Sequence, residues 1–214
     1  MSACRFELVI FDCDGVLVDS EPLVNRAFVD VLLNDGVGLH LEDSLARFTG
    51  ASLASRVAAV RADHGWCPSD SFHRDFEARL GELLHRDLRP VSGVRDVVSG
   101  LKVPRCVASN GTRLEMTGRL AQVELLDLFA PHLFSAADRG QPKPSPDVYL
   151  HAASIMGVAP ASCAVVEDSI PGAQAGIAAG MQVFGYVPSG SSNQLSRLGA
   201  SVFTSMVQLP ALLA

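Results

Sequence analysis

The sequence lacks the cysteine patterns that mark metal-binding and disulfide-stabilised proteins. Its cysteines are odd in number and scattered, and none of them forms a C-x-x-C pair: Cys4, Cys13, Cys67, Cys106 and Cys163. This spacing argues against a zinc site or a disulfide framework. It favours a reducing compartment, which we take to be the cytoplasm. Cys106 and Cys163 lie in apolar stretches and are predicted to be core residues.

Lysine and arginine form no cluster, and the net charge is −6. A basic patch is the electrostatic footprint of proteins that bind nucleic acid or anionic membranes. The sequence also has no apolar stretch of about 18 residues that could span a bilayer. Its first apolar run is interrupted by acidic residues, unlike that of a signal peptide. We therefore expect neither nucleic acid nor a membrane as a partner.

The most informative stretch is the first apolar run and the acidic turn after it. Phe6–Phe11 is typical of a buried strand, and Asp12 and Asp14 follow at a spacing that points both side chains to one side. Gly15 lets the backbone turn immediately afterwards. Paired carboxylates repel each other unless a cation or a shared proton relieves them. The pair suggests Mg²⁺ and an aspartyl nucleophile beside an acid, although a solvated Asp-rich turn would have the same pattern.

Residues 20–88 show only helical patterns. Ser20-Glu21-Pro22 predicts a helix start with Ser20 as the cap. Further helices are predicted over about Ser52–His64 and Asp70–Arg86, each with apolar residues at helical spacing. The sequence thus predicts an all-helical block inserted after the first strand.

Strand and helix patterns alternate from Pro90 onwards. Short apolar strands are predicted at 105–108, 133–135, 164–166, 183–186 and 202–203. One intervening helix opens at a capping box, Thr112-x-x-Glu115, and another at Ser145-Pro146. This alternation predicts an α/β protein with a doubly wound parallel sheet. We predict a core domain of residues 1–17 and 90–214 and an inserted helical domain of residues 18–89.

Polar side chains follow several of the predicted strands. Ser109-Asn110 ends the second strand, Lys143 stands just ahead of a helix start, and Glu167-Asp168 ends the strand at 164–166. Taken singly, these are explained as a turn serine, a surface lysine and a helix cap. In a parallel sheet, however, the carboxyl ends share one edge, so all of them can converge with Asp12 and Asp14.

Taken together, these segments resemble the haloacid dehalogenase superfamily, in the branch with a helical cap inserted after the first strand. The resemblance spans nearly the whole chain and is carried by residues 12–22, Ser109-Asn110, residues 143–147 and residues 167–181. It implies a Rossmann-like core, with residues 18–89 forming a cap that closes over the substrate.

The resemblance also implies the chemistry of the two motif aspartates. Asp12 would attack phosphorus and become an aspartyl phosphate, and Asp14 would protonate the leaving alcohol and then activate water. Mg²⁺ would be bound by Asp12, the backbone carbonyl of Asp14 and Asp168, with Glu167 assisting directly or through water.

The same resemblance assigns the phosphoryl group its ligands. Ser109 and the Asn110 amide would hold the phosphoryl oxygens, and Lys143 would neutralise charge on them and on Asp12. The segment before Lys143, Arg139-Gly140-Gln141-Pro142, departs from relatives that often have Gly directly before the Lys, which leaves the shape of this loop open.

Cap residues near the motif would contact the rest of the substrate. Glu21 and Val24 would shape the leaving-group pocket. Related sugar phosphomutases carry a His at the position of Val24 and a phosphate-binding Arg at the position of Leu53. Arg56 lies one helical turn further on and could replace that arginine as a phosphate ligand.

The sequence thus predicts a Mg²⁺-dependent phosphatase of small phosphorylated metabolites, with sugar phosphates as the expected substrates. The presence of Asp14 argues against the dehalogenating members, which lack this second aspartate. Residues 20–88 contain no lysine for the Schiff base of the phosphonate-cleaving members. The alternatives are a β-phosphoglucomutase-like sugar phosphomutase and a receiver-like phosphate-binding module without turnover. The oligomeric state is not determined by the sequence.

Overall fold

The computed structural model describes residues 5–188, 190 and 193–214. Six strands form one sheet in which all neighbours are parallel, in the order β3-β2-β1-β4-β5-β6. The strands are β1 (Leu8–Phe11), β2 (Arg105–Ser109), β3 (Leu133–Ser135), β4 (Cys163–Glu167), β5 (Gln182–Tyr186) and β6 (Ser201–Phe203). The predicted doubly wound parallel sheet is confirmed.

Strand β1 lies in the interior of this sheet and determines where a ligand can bind. All four of its residues are buried, as a continuous apolar run requires when helices cover both faces. Phe11, its last residue, is in register with Val107 of β2 and Val166 of β4. The strand order reverses direction at β1, and ligands of doubly wound sheets bind in the crevice beyond the strand ends at such a point.

The chain divides into two compact units. One extends to Val18 and resumes at Pro90, and the other is Asp19–Arg89. The second unit is entirely helical, as predicted. Its helices are α1 (Glu21–Asn34), α2 (Leu41–Phe48), α3 (Leu53–His64) and α4 (Phe72–Asp87). Helix α2 falls in a stretch for which the sequence analysis predicted no element.

The helical unit has a hydrophobic core of its own. Phe28 packs edge-on against Phe48 and Phe72, and Trp66 packs against Phe72 with ring centroids 5.0 Å apart. Edge-to-face contacts are a favourable arrangement of aromatic rings. Ser20 stands at the N-cap of α1, as predicted, but its backbone is already helical (φ −86°, ψ −23°) and its hydroxyl makes no capping bond.

Helices alternate with the strands in the sheet-containing unit. They are α5 (Val94–Gly100), α6 (Arg113–Gln122), α7 (Asp147–Met156), α8 (Ile170–Ala178), α9 (Asn193–Arg197) and α10 (Leu209–Leu212). The predicted capping box of α6 is present, with both the Thr112 and the Glu115 side chains bonded to backbone N–H groups. Helix α9 was not predicted.

The predictions for the cysteines and for membrane-spanning segments can now be compared with the structure. Cys106 and Cys163 are fully buried, as predicted for core residues. All four cysteines in the described ranges are free thiols, and Cys4 lies outside those ranges. Among the residues that the structure describes, no helix is both long enough and apolar enough to cross a membrane.

Candidate active site

Asp12 lies at the point where β1 ends between two neighbouring strands. Its backbone N–H donates to the carbonyl oxygen of Val166 at 2.9 Å, which continues the β1–β4 pairing by one residue. Its side chain stands in the crevice at the carboxyl edge of the sheet and is only 7% exposed as a residue. The sheet order therefore places Asp12 beside the residues that follow β4, and beside Ser109 at the end of β2.

Gly15 allows the turn after β1 to pass close to Asp168. Its φ of +78° lies in the left-handed region, which a side chain would strain. A Cβ at this position would also come within 1.9 Å of the Asp168 carboxylate oxygen Oδ2. The glycine predicted from the motif thus has two physical reasons, backbone conformation and the space that Asp168 occupies.

Lys143 reaches into the same crevice from the segment between β3 and α7. Its Nζ donates to Asp12 Oδ1 at 2.5 Å, to Glu167 Oε1 at 2.7 Å and to the carbonyl oxygen of Ala108 at 2.9 Å. The residue is 6% exposed. The predicted surface-lysine alternative does not describe this residue, because a buried ammonium bridges two carboxylates.

Glu167 is held more firmly than any other acidic residue of the site. Its Oε1 accepts from Lys143 Nζ and from the Tyr149 hydroxyl, and its Oε2 accepts from the Asp168 N–H and from the N–H and hydroxyl of Ser169. A Cβ at position 172 would lie 1.6 Å from Oε1, so Gly172 leaves the space that Glu167 fills. Glu167 is therefore a buried anchor of the site, whose oxygens are already engaged in hydrogen bonds.

Tyr149 is a site residue that the sequence analysis did not identify. It is fully buried on α7, donates to Glu167 at 3.0 Å, and has Lys143 Nζ 4.8 Å from the centre of its ring. Its position six residues after Lys143, on the helix that follows, was the available signal. An aromatic residue at a helical core position does not reveal from sequence that its hydroxyl faces a carboxylate.

Ser109 and Asn110 end β2 at the same edge of the sheet. The Ser109 hydroxyl oxygen accepts from the Gly111 N–H at 3.1 Å, which leaves its proton available for a ligand oxygen. The Asn110 side-chain oxygen accepts from the Lys143 N–H at 2.8 Å and so holds the lysine segment in place. The predicted role of the Asn110 amide in phosphate binding stays a prediction.

Asp14 pairs with an arginine that the sequence analysis also missed. Arg119 of α6 donates from Nη1 to Asp14 Oδ2 at 2.5 Å. Among the described residues, the other oxygen, Oδ1, is buried without a hydrogen-bond partner. Arg119 lies one helical turn after Glu115 of the capping box, and sequence gave no reason to single it out among the chain's arginines.

The charges of this cluster are unbalanced. The cluster has four carboxylates, those of Asp12, Asp14, Glu167 and Asp168. Among the described residues, the cations that the ion pairs place there are Lys143 and Arg119, so two more negative than positive charges are present when all are ionised. Burial raises the pKa of Asp12 to about 7, against the opposing effect of Lys143, and the charge of Glu167 raises it further. Burial likewise raises the pKa of Asp14, against the opposing charge of Arg119.

The two groups that hold Asp12 in place remain charged. Burial alone would raise the pKa of Glu167, but the Lys143 charge and the hydrogen bonds from Lys143 and Ser169 lower it below its usual range. Burial opposes the charged form of Lys143, yet the neighbouring Asp12 and Glu167 hold its pKa well above the usual value. Lys143 and Glu167 thus form an ion pair in which both partners are charged, and Asp12 is the neighbouring group that gains or loses a proton near pH 7.

Three carboxylates of the site could hold a metal ion. Asp12, Glu167 and Asp168 each present an oxygen, and these oxygens lie within 4.8 Å of one another. Hard divalent cations such as Mg²⁺ prefer oxygen ligands. The donor atoms and the excess of two negative charges both fit such an ion.

Glu21 and Arg56, predicted to contact substrate, are brought together inside the helical unit. Arg56 is fully buried; its Nη1 donates to Asn25 Oδ1 at 2.8 Å, its Nη2 to Glu21 Oε2 at 3.3 Å and its Nε to the carbonyl oxygen of Ala51 at 2.9 Å. The guanidinium is therefore engaged by acceptors within this unit, and the predicted role of Arg56 in phosphate binding stays a prediction. The Glu21 side chain keeps 23% exposure, and its proposed contact with the leaving group remains open to test.

Comparisons with known proteins agree with this arrangement. A family model described as haloacid dehalogenase-like hydrolase matches residues 6–180. The chain is 35% identical to the 6-phosphogluconate phosphatase of Escherichia coli over 97% of its own length and 95% of that protein. It is 36% identical to hexitol phosphatase B of E. coli over 81% of this chain and 80% of the relative.

A solved structure has the same fold over nearly all of the chain. The conserved haloacid dehalogenase-like protein of Agrobacterium tumefaciens superposes with a TM-score of 0.90 at 36% identity, and the match covers 97% of each chain. Its strands and helices therefore follow the same course as those described above. The chain belongs to the haloacid dehalogenase-like hydrolase family.

Proposed function

We propose that this hydrolase is a Mg²⁺-dependent phosphatase of small phosphorylated sugars that works through an aspartyl phosphate on Asp12. The observation that carries the proposal is the buried Asp12 at the end of β1, with Lys143 on its Oδ1 and Asp14 two residues further on. A carboxylate with one oxygen held by a fixed cation presents its other oxygen in a defined direction, which suits a nucleophile.

The first step forms a bond between Asp12 and phosphorus while the bond from phosphorus to the leaving oxygen breaks. Asp14 gives a proton to that oxygen, so the alcohol leaves neutral. In the second step, water attacks phosphorus and Asp14 takes a proton from it. The bond from phosphorus to Asp12 then breaks, which releases inorganic phosphate and regenerates both aspartates.

The remaining residues stabilise charge during both steps. Lys143 and the Ser109 hydroxyl are proposed to face the phosphoryl oxygens, where their hydrogen bonds strengthen as charge develops. Asp12, Asp168 and the backbone carbonyl of Asp14 would hold Mg²⁺, and Glu167 would support this arrangement through Lys143 and the backbone of Asp168. The metal, when bound, supplies positive charge that offsets the phosphoryl group and the carboxylates.

The substrate class rests on the relatives and on the site. Relatives named for 6-phosphogluconate and for hexitol phosphates support a six-carbon phosphate ester as substrate. The sugar phosphomutase alternative is weakened by the helical unit, since Val24 and Leu53 cannot bind phosphate and Arg56 is buried among partners of its own. Without phosphate ligands at these positions, hydrolysis is the favoured outcome.

Release of inorganic phosphate tests the proposal. Purified enzyme with Mg²⁺ should release phosphate from 6-phosphogluconate, from sorbitol 6-phosphate and from a generic aryl phosphate, and the Asp12→Asn variant should not. Failure on a wide panel of esters would favour the receiver-like binding module. Faster formation of glucose 6-phosphate than of phosphate, from β-glucose 1-phosphate with catalytic glucose 1,6-bisphosphate, would establish the mutase instead.

A further inference from the structure

Arg119 is a charged residue at the site to which the proposed chemistry gives no task. It lies on α6, which follows β2 and so begins at the same edge of the sheet as Asp12. Met116 and Leu120 bury one face of this helix, and the capping box fixes its first turn. Side chains of a helix lean towards its N-terminus, and Arg119 accordingly reaches Asp14.

The contact between Arg119 and Asp14 uses only part of what each group offers. A guanidinium can bind a carboxylate with two parallel hydrogen bonds, but here Nη1 alone bonds to Oδ2, while Oδ1 is buried without a partner in the described part of the chain. The Nη2 of Arg119 is 3.8 Å from Glu115 Oε1, beyond hydrogen-bond distance. Although Nη2 and Glu115 form an ion pair, the arginine therefore retains donors that make no hydrogen bond to any residue the structure describes.

Arg119 is also partly exposed and contacts the proposed general acid. Its side chain is 22% exposed, in contrast to the 2% of the Lys143 side chain. Asp14 is the residue proposed to touch the leaving oxygen, so Arg119 stands one hydrogen bond away from the group that contacts the leaving alcohol. Charged donors at that place would lie on the side of the leaving alcohol, which is the part of the substrate that differs between esters.

We propose that Arg119 is the specificity-determining residue for substrates whose leaving alcohol carries a carboxylate, that is, phosphorylated sugar acids. The substrate carboxylate would accept both hydrogen bonds of the guanidinium and replace Asp14 on it. Asp14, released from Nη1, would then turn to the leaving oxygen. This assignment rests on the proposed phosphatase activity and names a substrate preference within it.

Two esters with the same carbon skeleton test this assignment. 6-Phosphogluconate carries a carboxylate at the carbon where sorbitol 6-phosphate carries a hydroxymethyl group. The ratio of kcat/KM for the first ester to that for the second should fall by about ten- to hundredfold in Arg119→Gln, the range expected from losing a hydrogen bond between charged groups. The ratio should fall because kcat/KM decreases for the sugar-acid ester, chiefly through a higher KM.

Matched variants separate charge from shape. Arg119→Lys keeps the charge and loses the planar fork, so its ratio should lie between those of the wild type and of the glutamine variant. Arg95→Gln removes one exposed positive charge of the same unit, which pairs with Asp127, and should leave the ratio unchanged.

Product inhibition gives a binding measurement. Gluconate should inhibit Arg119→Gln about tenfold less than it inhibits the wild type, whereas inhibition by sorbitol should be the same in both.

An equal loss for both esters in Arg119→Gln would overturn the assignment, because Arg119 would then act only through Asp14. A ratio unchanged by the substitution would overturn it as well. Thermal unfolding shows whether the glutamine variant is folded. If it is not, the same kcat/KM ratio measured for Arg119→Lys tests the assignment. Failure of the wild type to hydrolyse 6-phosphogluconate would overturn this assignment, and release of phosphate from the aryl phosphate would show whether the proposed phosphatase activity itself survives.

Discussion

The two compact units each bury one cation among polar partners, and they do so differently. In the sheet-containing unit, Lys143 is shared by two carboxylates, those of Asp12 and Glu167. In the helical unit, Arg56 has one carboxylate partner, Glu21, and two neutral acceptors, the Asn25 side chain and the carbonyl of Ala51. The first cluster has an excess of negative charge, and the second is balanced.

This difference separates a site from a structural element. A balanced buried pair satisfies its own groups and holds helices in register, at an energetic cost similar to its gain. Burial lowers the pKa of Arg56, while Glu21 acts in the opposite direction. Burial, with the negative charge of Glu167 beside it, holds the Asp12 carboxylate of the first cluster above its usual pKa, and such groups concentrate where ligands and reacting atoms bind.

The largest effect is expected from removing the negative charge of Asp12. Asp12→Asn should lower kcat by at least about 10⁴-fold, because an amide oxygen does not attack phosphorus. The raised pKa of Asp12 means that its contribution to stability is complete below about pH 4 and is lost as the pH rises through about 7. In metal-free buffer at pH 8, the variant should therefore unfold at a denaturant concentration no lower than the wild type. Appreciable activity would contradict the nucleophile assignment.

Removing the metal should abolish the activity that depends on the Lys143 cluster and should leave the Arg56 cluster unaffected. EDTA should abolish phosphate release and Mg²⁺ should restore it, with Asp168→Ala raising the Mg²⁺ requirement more than Glu167→Ala. The rise in melting temperature on adding Mg²⁺ should be larger at pH 8 than at pH 5.5, because below about pH 7 a proton on Asp12 competes with the metal. An equal rise at both pH values would argue against Asp12 as a ligand.

Breaking the balanced cluster should affect stability and leave activity nearly unchanged. Arg56→Met removes the guanidinium shared by Glu21, Asn25 and Ala51, although Ser44 still donates to Asn25 and the Gly50 N–H to Glu21. We expect the free energy of unfolding to fall by about 2 kcal/mol. Phosphate release per folded molecule should stay within about threefold of the wild type. As a control, Arg26→Met removes a half-exposed ion pair of the same unit and should change stability by no more than about 0.5 kcal/mol. A selective rise in KM would support Arg56 as a substrate ligand.

The smallest effect should come from Tyr149→Phe. The ring over Lys143 is retained, and only the hydroxyl that donates to Glu167 is lost. Four other hydrogen bonds still hold Glu167, so we expect a loss of about 1 kcal/mol in unfolding free energy and less than a fivefold change in kcat. A loss of activity comparable to that of Asp12→Asn would mean that Tyr149 positions Lys143 more strictly than these contacts indicate.

The residues predicted from sequence are those with a fixed place relative to a strand end. Asp12 and Asp14 follow β1, Ser109 ends β2 and Glu167 ends β4, and an apolar run that stops at a polar residue reveals each of these places. Arg119 and Tyr149 were missed because they reach the site from the bodies of helices. Their positions along α6 and α7 are typical of ordinary helical residues.

The missed helices have a related physical reason. Helix α2 is only eight residues long, and α9 only five, so neither has enough periodic positions to stand out from a loop. Their stability comes from packing, as for Phe48 of α2 against Phe28. Ser20 illustrates the reverse case, a good capping residue whose backbone conformation leaves no capping bond to make.

The sequence by itself determined the parallel sheet, the helical insertion and the acidic strand ends, because periodicity and strand boundaries are local properties of the chain. Only the tertiary structure decided which charges meet. It placed Lys143 between Asp12 and Glu167, gave Asp14 an arginine partner and enclosed Arg56 among its own acceptors. Pairings between residues up to 131 positions apart depend on the sheet order and on helix orientation, which no local pattern encodes.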